Sequence, residues 1–333
     1  MNHVYNFVAI FAISFGLSLL LTRALIAILP KFGMVDAPSN RRAHSKITPR
    51  GGGIAFALVF ASLLPLAENY FFAKVEYSRM MLQVFVPITL VSFWDDISHV
   101  FIPIRFAVQA LCAVLAVMWL IHPHTVIHEM PIYMDLAISS FALLAFLNVY
   151  NFLDGIDGIT FSQTAHLSTN IILLCLIEYS IVPYADMLII ISTILLGWAL
   201  GFGYFNWQPA KIFLGDAGSI GIGFVLGICI LTVASGSLKL FAACLISALY
   251  YVADGSITIL IRIVKGEKFW EPHLQHFFQK AVRKGYSHKK VVKRIIVCNF
   301  LLMLCSIASL FYPLVSIVFA AIIVMVTLIR STL

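Results

Sequence analysis

Three short segments of this sequence place acidic residues beside glycines, in a spacing that could serve phosphate chemistry. VSFWDDISHV contains the neighbouring pair Asp95 and Asp96, NFLDGIDG contains Asp154 and Asp157, and KIFLGDAGSIGIGF contains Asp216. Mg²⁺ is commonly held by one or two carboxylates together with substrate phosphates, and a glycine-rich helix start offers backbone N–H groups to phosphate. The bland alternatives are a solvated helix end for the pair, a plain loop for NFLDGIDG, and an N-cap for Asp216.

The spacing within these segments indicates how their side chains could be divided between ligands. Neighbours on a helix point about 100° apart, so one of Asp95 and Asp96 could hold a metal while the other contacts substrate. Asn151, Asp154 and Asp157 are spaced by three, which predicts that they share one side of a helical or 3₁₀ turn.

Two further segments combine histidines with cations. DAPSNRRAHSKITPRGGG contains His44, Lys46 and Arg50, and GEKFWEPHLQHFFQKAVRKGYSHKK contains His273 and His276, which are i, i+3 neighbours if the segment is helical. Contact with phosphate is the predicted use of the second segment, and the alternative is a basic loop lying on the membrane surface. The charge of the first segment is explained by membrane topology alone. A zinc site would need further ligands, which the sequence does not offer.

The elements that must position these residues are apolar helices. Of the 333 residues, 61% are hydrophobic and 11% are charged, which excludes an ordinary soluble domain. The apolar runs are continuous rather than alternating, so we predict an all-α, polytopic membrane helix bundle of about eleven transmembrane helices. The predicted spans are residues 4–29, 51–67, 80–94, 104–122, 134–150, 159–177, 183–204, 217–235, 238–262, 293–312 and 314–331.

The run of three glycines at residues 51–53 opens the second span, where glycine is costly in a helix. It predicts a close approach of the backbone to another helix or to a ligand. The first span is too long for a signal peptide and is expected to stay in the mature protein. All six cysteines fall in apolar spans without CxxC spacing and are predicted to be packing residues.

Lysine and arginine are distributed unequally between the two sides of the predicted bundle. If the loop at residues 30–50 is cytoplasmic, alternation leaves Lys74, Arg79 and Lys239 outside, and 19 of the 22 basic residues inside. The predicted cytoplasmic loops are residues 30–50, 95–103, 151–158, 205–216 and 263–292. All the acidic segments then face the cytoplasm, which predicts one composite active site within a single integral membrane domain, residues 1–333. The net charge of +7 reflects topology and attraction to membrane lipid, and no nucleic-acid partner is predicted.

With these motifs assembled, the chain resembles the polyprenyl-phosphate N-acetylhexosamine-1-phosphate transferases, a superfamily of the glycosyltransferase family 4 type that includes phospho-MurNAc-pentapeptide translocase. The resemblance covers Asp36 to about Val291, where DAPSNRRAHSKITPRGGG, FWDD, NVYNFLDGIDG, NWQPAKIFLGDAGS and DGSITILIRIVKGEKFWEPHLQH occur in the family's order. The His-x-x-His spacing of His273 and His276 is most similar to the branch that initiates O-antigen synthesis in lipopolysaccharide biosynthesis. Two departures are His99, where the family often has a basic residue, with Arg105 as the substitute, and Leu274 in place of an arginine.

The resemblance implies an Mg²⁺-dependent transfer, with Mn²⁺ as a second candidate metal, of an N-acetylated amino-sugar-1-phosphate from a UDP-sugar to undecaprenyl phosphate, releasing UMP. It implies that Asp216 binds the metal, that Asp95 and Asp96 serve the lipid phosphate and metal, and that His273 and His276 contact the diphosphate. The residues implied to bind substrate are His44, Lys46, Arg50, Arg105, Asn151, Asp154, Asp157, Asn206 and Phe213. The implied location is the bacterial cytoplasmic (inner) membrane with the site facing the cytoplasm, and a homodimer is left open.

Two rival functions remain at the level of sequence. An ion-coupled transporter would use Asp254, the one acid well inside a predicted span, because intramembrane acids often relay ions. The absence of an obvious internal repeat mildly disfavours transporters built from duplicated halves. A CDP-alcohol phosphotransferase is suggested by the two Asp-Gly pairs of NFLDGIDG, but the longer acidic pattern of that family is absent after Gly158.

Overall fold

The computed structural model describes residues 2–36, 47–127, 129–268 and 273–332, and within this part the chain is almost entirely helical. The elements are α1 Asn2–Ile28, a 3₁₀ turn Leu29–Phe32, β1 Val35–Asp36, β2 Thr48–Pro49, α2 Gly53–Phe72, α3 Glu76–Ile97, α4 Ile102–Ala116 continued by a π-helical turn Val117–Ile121, α5 Ile132–Phe152, α6 Ile159–Ile177, α7 Ala185–Asn206, α8 Asp216–Ala234, α9 Leu238–Val264, α10 Phe277–Arg283, α11 His288–Ala308 and α12 Pro313–Thr332. Eleven of the described helices are long and apolar enough to cross a membrane. The prediction of an all-α multi-pass membrane protein is confirmed.

Helices α7 and α8 form the centre of the bundle, and the other long helices surround them. Their apolar stretches are the most deeply buried of the eleven, at 83% and 89%. Close packing against α1 depends on two glycines of α7, because a Cβ at Gly197 or Gly201 would lie 2.7 Å from a backbone oxygen of α1. Across this contact the Ser14 hydroxyl donates to the carbonyl of Ile194 at 2.6 Å. Small residues and interhelical hydrogen bonds hold helices together where lipid removes the hydrophobic drive.

The glycine run at residues 51–53 brings the start of α2 against the first turn of α8. The sequence predicted a close approach either to another helix or to a ligand. A Cβ at Gly53 would lie 2.2 Å from the backbone nitrogen of Gly218, so only hydrogen fits there. The backbone N–H groups of Gly51 and Gly52 donate to the carbonyl of Phe213, at 3.1 and 2.9 Å. The close neighbour is therefore another helix and its leading loop.

The first turns of two helices begin outside the predicted spans, and polar side chains cap both of them. The first turn of α3 begins at Glu76, four residues before the predicted span, since the Glu68 carboxylate accepts the N–H groups of Tyr77 and Ser78 at 2.9 and 2.7 Å. Helix α11 begins at His288, inside the predicted loop 263–292, and Ser287 caps it by accepting from the N–H of Lys290. Polar first turns carry no apolar signal, so the sequence assigned them to loops.

Candidate active site

A polar cavity of about 460 Å³ opens at the end of the bundle where α5 and α7 finish and α2, α6, α8 and α11 begin. The predicted site residues that line it are Arg50, Asn151, Asp154, Asp157, Asn206, Phe213 and Asp216. Segments separated by up to about 170 residues in sequence therefore meet at one place. This convergence is what the composite-site hypothesis requires.

Arg50 is the centre of the charge network beside this cavity. Its Nη2 atom lies 2.8 Å from Asp216 Oδ1 and 2.9 Å from Asp96 Oδ1. Arg105 contacts Asp95 through Nη1, and the same atom lies 3.5 Å from Asp216 Oδ2. Two cations thus connect three carboxylates from α3 and α8, so Asp216 is shared between both arginines.

Asp96 caps α8 from a helix that lies 120 residues earlier in sequence. Its two carboxylate oxygens accept the backbone N–H groups of Asp216 and Ala217, at 2.9 and 3.0 Å, and its side chain is fully buried. The expectation that these N–H groups are open to phosphate is therefore wrong, because a carboxylate already occupies the anion position at this helix start. Asp216 is the first residue of α8, and Gly215 is the N-cap.

The segment between α5 and α6 is a turn whose polar side chains are held by neighbouring helices. The Asp157 carboxylate accepts the N–H of Ala210 at 3.1 Å and lies 3.3 Å from His288 Nδ1. Asn206 accepts from the N–H of Gly158 at 3.0 Å and donates to the carbonyl of Ile212 at 2.9 Å. Asp157 and Asn206 therefore fix the walls of the cavity as well as lining it.

Asp154 and Asn151 complete this wall. The hydroxyl of Thr160 donates to Asp154, and the hydroxyl of Ser219 donates to Asn151 Oδ1 at 2.6 Å. Burial raises the pKa of Asp154 to about 6, and the Asp216 carboxylate adds to the shift, while the Thr160 hydrogen bond and Arg50 oppose it. Burial lowers the pKa of the Arg50 guanidinium. The nearby carboxylates of Asp216, Asp96 and Asp154 raise it by more, so the net shift of this pKa is upward.

The two predicted histidines lie outside the cavity lining, and the segment 273–276 is not helical. His276 is the N-cap of α10 and lies 3.1 Å through Nδ1 from Asp254 Oδ1, with both side chains buried. Asp254 also accepts the N–H groups of Phe277 and Phe278, at 3.0 and 3.3 Å. The pair therefore anchors the start of α10. Burial, with His276 and Arg262, lowers the pKa of His273 to about 4, so its ring is neutral at pH 7.

Several residues of the cavity were not predicted from the sequence. Asp36 of β1, Gln279 and Arg283 of α10, and His288 of α11 all line it. Arg283 and His288 lie in a segment so rich in lysine and arginine that the sequence did not distinguish them from topology signal. Asp95, Asp96 and Arg105 stand behind the lining, next to Asp216, while His44 and Lys46 fall outside the described residues.

The donor chemistry of the cavity fits a divalent cation that binds with a phosphate substrate. Four carboxylates and two guanidinium groups line it, and the formal charges of these six groups sum to −2. The part of the chain that the structure describes contains no group of three or more His, Cys, Asp or Glu side chains that could hold a metal ion by itself. Mg²⁺ commonly takes one or two carboxylates and completes its shell with water and phosphate oxygens, and the carboxylates of the lining could supply such ligands.

Comparison with known proteins agrees with this arrangement. The sequence model of the family described as glycosyl transferase family 4 matches residues 78–236. The chain is 26% identical over 357 residues to the probable undecaprenyl-phosphate N-acetylglucosaminyl 1-phosphate transferase of Bacillus subtilis (strain 168), with 98% of this chain and 93% of that protein covered. It is 24% identical over 364 residues to the phospho-N-acetylmuramoyl-pentapeptide-transferase of Rickettsia bellii (strain OSU 85-389), with 93% of this chain and 96% of that protein covered.

A third relative, the phospho-N-acetylmuramoyl-pentapeptide-transferase of Buchnera aphidicola subsp. Baizongia pistaciae (strain Bp), is 27% identical over 186 residues, which cover 52% of this chain and 53% of that protein. The segment matched by the family carries Asp95, Asp96, Asp154, Asp157 and Asp216, the acids on which the site was predicted. The family match over residues 78–236 and the relatives that align over nearly the whole chain make the chain similar to the proteins of glycosyl transferase family 4.

Proposed function

We propose that the protein transfers an N-acetylated amino-sugar-1-phosphate from a UDP-sugar to undecaprenyl phosphate and releases UMP. The observation that carries the proposal is the polar cavity of about 460 Å³, lined by four carboxylates and two arginines, at the end of a bundle of membrane helices. A soluble nucleotide sugar and the headgroup of a lipid can meet only at such an interface. The Bacillus subtilis relative is named for the same acceptor lipid.

We place the nucleotide part of the donor against the wall formed by Asn151, Asp154, Asp157, Asn206 and Phe213. The amide and carboxylate groups offer hydrogen bonds to a uracil and ribose, and Phe213 offers an apolar surface. Several of these side chains are already fixed by partners in the protein, so the wall is formed before the ligand arrives. A preformed wall lowers the entropy cost of binding.

The diphosphate then lies toward Arg50, Asp216 and α10. Arg283 and Gln279 extend from α10 into the cavity lining, and His276 holds the start of this helix against Asp254. We therefore assign His276 a positioning role and assign Arg283 the direct contact with the diphosphate. His273, whose ring is neutral at pH 7, is a hydrogen-bonding candidate there and not a cation.

The acceptor phosphate approaches from the side of Asp95 and Arg105. Arg105 lies between Asp95 and Asp216, where its guanidinium can attract the phosphate of the lipid toward the donor. A phosphate monoester has a second pKa of about 6, so it is already ionised near neutral pH and can attack the β-phosphorus of the donor directly. The P–O bond to UMP breaks as the bond to the lipid phosphate forms, and no covalent intermediate on an aspartate is needed.

Asp216 is the residue we propose to hold Mg²⁺ or Mn²⁺, with Asp154 as a further carboxylate of the same lining. Bound there, the ion would offset the repulsion between two anionic substrates and stabilise the charge that develops on the transferred phosphoryl group. Arg50 supports the same task, because its guanidinium already balances Asp216 and Asp96.

The cellular setting is also part of the proposal. The excess of lysine and arginine near this end of the bundle supports a cytoplasmic site in a bacterial inner membrane. The His273–His276 spacing supports initiation of O-antigen or another surface polysaccharide rather than peptidoglycan synthesis. The rival reading as a transporter loses its main support, because the carboxylate of Asp254 is satisfied by His276 and by two N–H groups of α10.

The test is to incubate the purified protein with Mg²⁺, undecaprenyl phosphate and, separately, UDP-N-acetylglucosamine, UDP-N-acetylgalactosamine and UDP-N-acetylmuramoyl-pentapeptide. We expect one of the two amino sugars to yield UMP and a lipid product heavier by one sugar-1-phosphate, identified by mass. Asp216→Asn is the matched inactive control. Solute uptake into vesicles without release of UMP would support the transporter and refute the proposal.

A further inference from the structure

A second cavity of about 490 Å³ lies at the opposite end of the bundle, where α2 finishes and α3 and α7 begin. We call it the outer cavity. Its lining includes the acids Glu76 and Asp186, the cation Lys74, and the aromatic side chains of Trp119 and Tyr184. The proposed transfer reaction uses none of these residues.

Three features that are individually uncommon converge on this cavity. Trp119 is carried by the π-helical turn Val117–Ile121, and such turns occur frequently at functional sites. Tyr184 has a φ angle of +54°, a left-handed conformation that costs a bulky residue energy. Tyr77, only 6% exposed, packs its ring 5.6 Å from that of Tyr184, and its hydroxyl has no hydrogen-bond partner among the described residues.

The Tyr77 hydroxyl, which has no hydrogen-bond partner among the described residues, distinguishes this cavity from an ordinary band of aromatic residues at a membrane interface. Aromatic residues at a membrane interface usually keep their polar atoms in water, at the headgroup level. A phenol buried without a partner costs free energy, and a ligand or a water bound in the cavity would recover that cost. The backbone around it is already satisfied, because Glu68 accepts the N–H groups of Tyr77 and Ser78.

The charge of the outer cavity selects the chemical class of ligand. Its lining contains the acids Glu68, Glu76 and Asp186 and the cation Lys74, so the formal charge is −2 and a ligand without a positive group is disfavoured. Tyr179 donates a hydrogen bond to Asp186 Oδ2 at 2.7 Å, which holds a carboxylate beside an aromatic ring. Carboxylates among aromatic rings are the arrangement that binds an organic ammonium group.

We propose that the outer cavity binds a ligand with an organic ammonium group, and that its source is the phosphoethanolamine headgroup of a lipid in the adjoining leaflet. Asp186, Glu76 and the aromatic rings would receive the ammonium group. Lys74 and the hydroxyl of Tyr77 would donate to the phosphate. The cavity lies at the ends of membrane-spanning helices, where lipid headgroups are the most concentrated ligands of this chemistry.

Native mass spectrometry of the detergent-solubilised protein tests this with phosphatidylethanolamine and phosphatidylglycerol of the same acyl chains. We expect phosphatidylethanolamine to bind more tightly, and Asp186→Asn and Trp119→Ala each to weaken it by about tenfold, the loss of one ion pair or one cation–π contact. Trp119→Phe should retain part of the affinity. Glu178→Gln, a carboxylate at the same end of the bundle but outside the lining, is the matched control and should bind normally.

Soluble phosphoethanolamine distinguishes the source of the ligand. If phosphoethanolamine displaces the lipid, the headgroup alone carries recognition. If it does not, the acyl chains contribute to binding. Either result agrees with the proposal provided that Asp186→Asn weakens the binding of phosphatidylethanolamine. Circular dichroism of each variant verifies that the fold is kept. Equal affinity for the two lipids, tight binding of a lipid with a neutral sugar headgroup, or a preference that survives both Asp186→Asn and Trp119→Ala would overturn the proposal.

Discussion

Replacing Asp154 with asparagine should stabilise the metal-free protein at alkaline pH while weakening its binding of nucleotide sugar. The carboxyl of Asp154 has a pKa of about 6 in the folded chain, because burial disfavours its charged form. Asparagine has nearly the same shape and can still accept the hydrogen bond from Thr160. The substitution therefore removes a costly charge without removing the contact that orients the side chain.

The sign and size of the effect follow from the two pKa values. An unfolded aspartate titrates near 3.8, so between about pH 4 and pH 6 the folded protein holds a proton that the unfolded chain has released. Stability contributed by this group is therefore present at low pH and lost as the pH rises through 6. A shift of about two pKa units corresponds to ~3 kcal/mol at most, and to less where the carboxylate is open to the cavity.

The assay is thermal unfolding followed by circular dichroism, in detergent and EDTA, at a series of pH values from 4 to 8. The apparent Tm of Asp154→Asn should be close to that of the wild type near pH 4, exceed it increasingly as the pH rises to 6, and exceed it by a few degrees at pH 8. Glu129→Gln, an exposed acid of the opposite end of the bundle, is the control and should show no such divergence. A variant less stable than wild type at pH 8, or a difference independent of pH, would refute the reasoning.

The remaining predictions concern catalysis and sidedness. Asp216→Asn should abolish turnover and EDTA should do the same to the wild type, so activity that persists in either case removes the metal assignment. Asp95→Asn should lower kcat by about 10²-fold or more, since Asp95 holds Arg105 beside Asp216, whereas Asp157→Asn should mainly raise KM for the UDP-sugar. Steady-state kinetics with both substrates varied would expose the reverse pattern. In a cysteine-free background, Ser180→Cys should react with an impermeant thiol reagent in intact cells and Ser98→Cys should not, and the opposite labelling would invert the topology.

Much of the fold was predictable because apolar runs of about 20 residues have few stable alternatives in a membrane. The eleven spans, the meeting of the acidic segments at one end and the close approach of the glycine run to another helix all followed from local composition. Those features depend on how many apolar residues stand in a row and on where glycine replaces a side chain. Neither requires knowledge of which helices are neighbours.

The contacts that determine the geometry of the site could not be predicted, because they depend on which helices are neighbours. Asp96 occupies the N–H groups of a helix 120 residues away, and His288 meets Asp157 across 131 residues. A sequence shows that a helix start needs an anion, but whether a phosphate or a distant carboxylate supplies it depends on the tertiary packing. The same holds for Asp254, which as an isolated intramembrane acid suggested ion transport and in the structure caps α10.

The partners of the acids indicate which of them remain available to a substrate. Asp96 is satisfied by two N–H groups and Arg50, and Asp157 by the N–H of Ala210 and by His288. Asp154 lines the cavity with one hydrogen bond, from Thr160, and Asp216 lines it beside Arg50 and Arg105. Both carboxylates contribute to the net negative charge there. A diphosphate would add negative charge to this surface, so its binding requires a cation that arrives with it or before it. Coupling between two ligands is reciprocal. The nucleotide sugar must therefore raise the affinity of the protein for the metal by the same factor by which the metal raises the affinity for the nucleotide sugar.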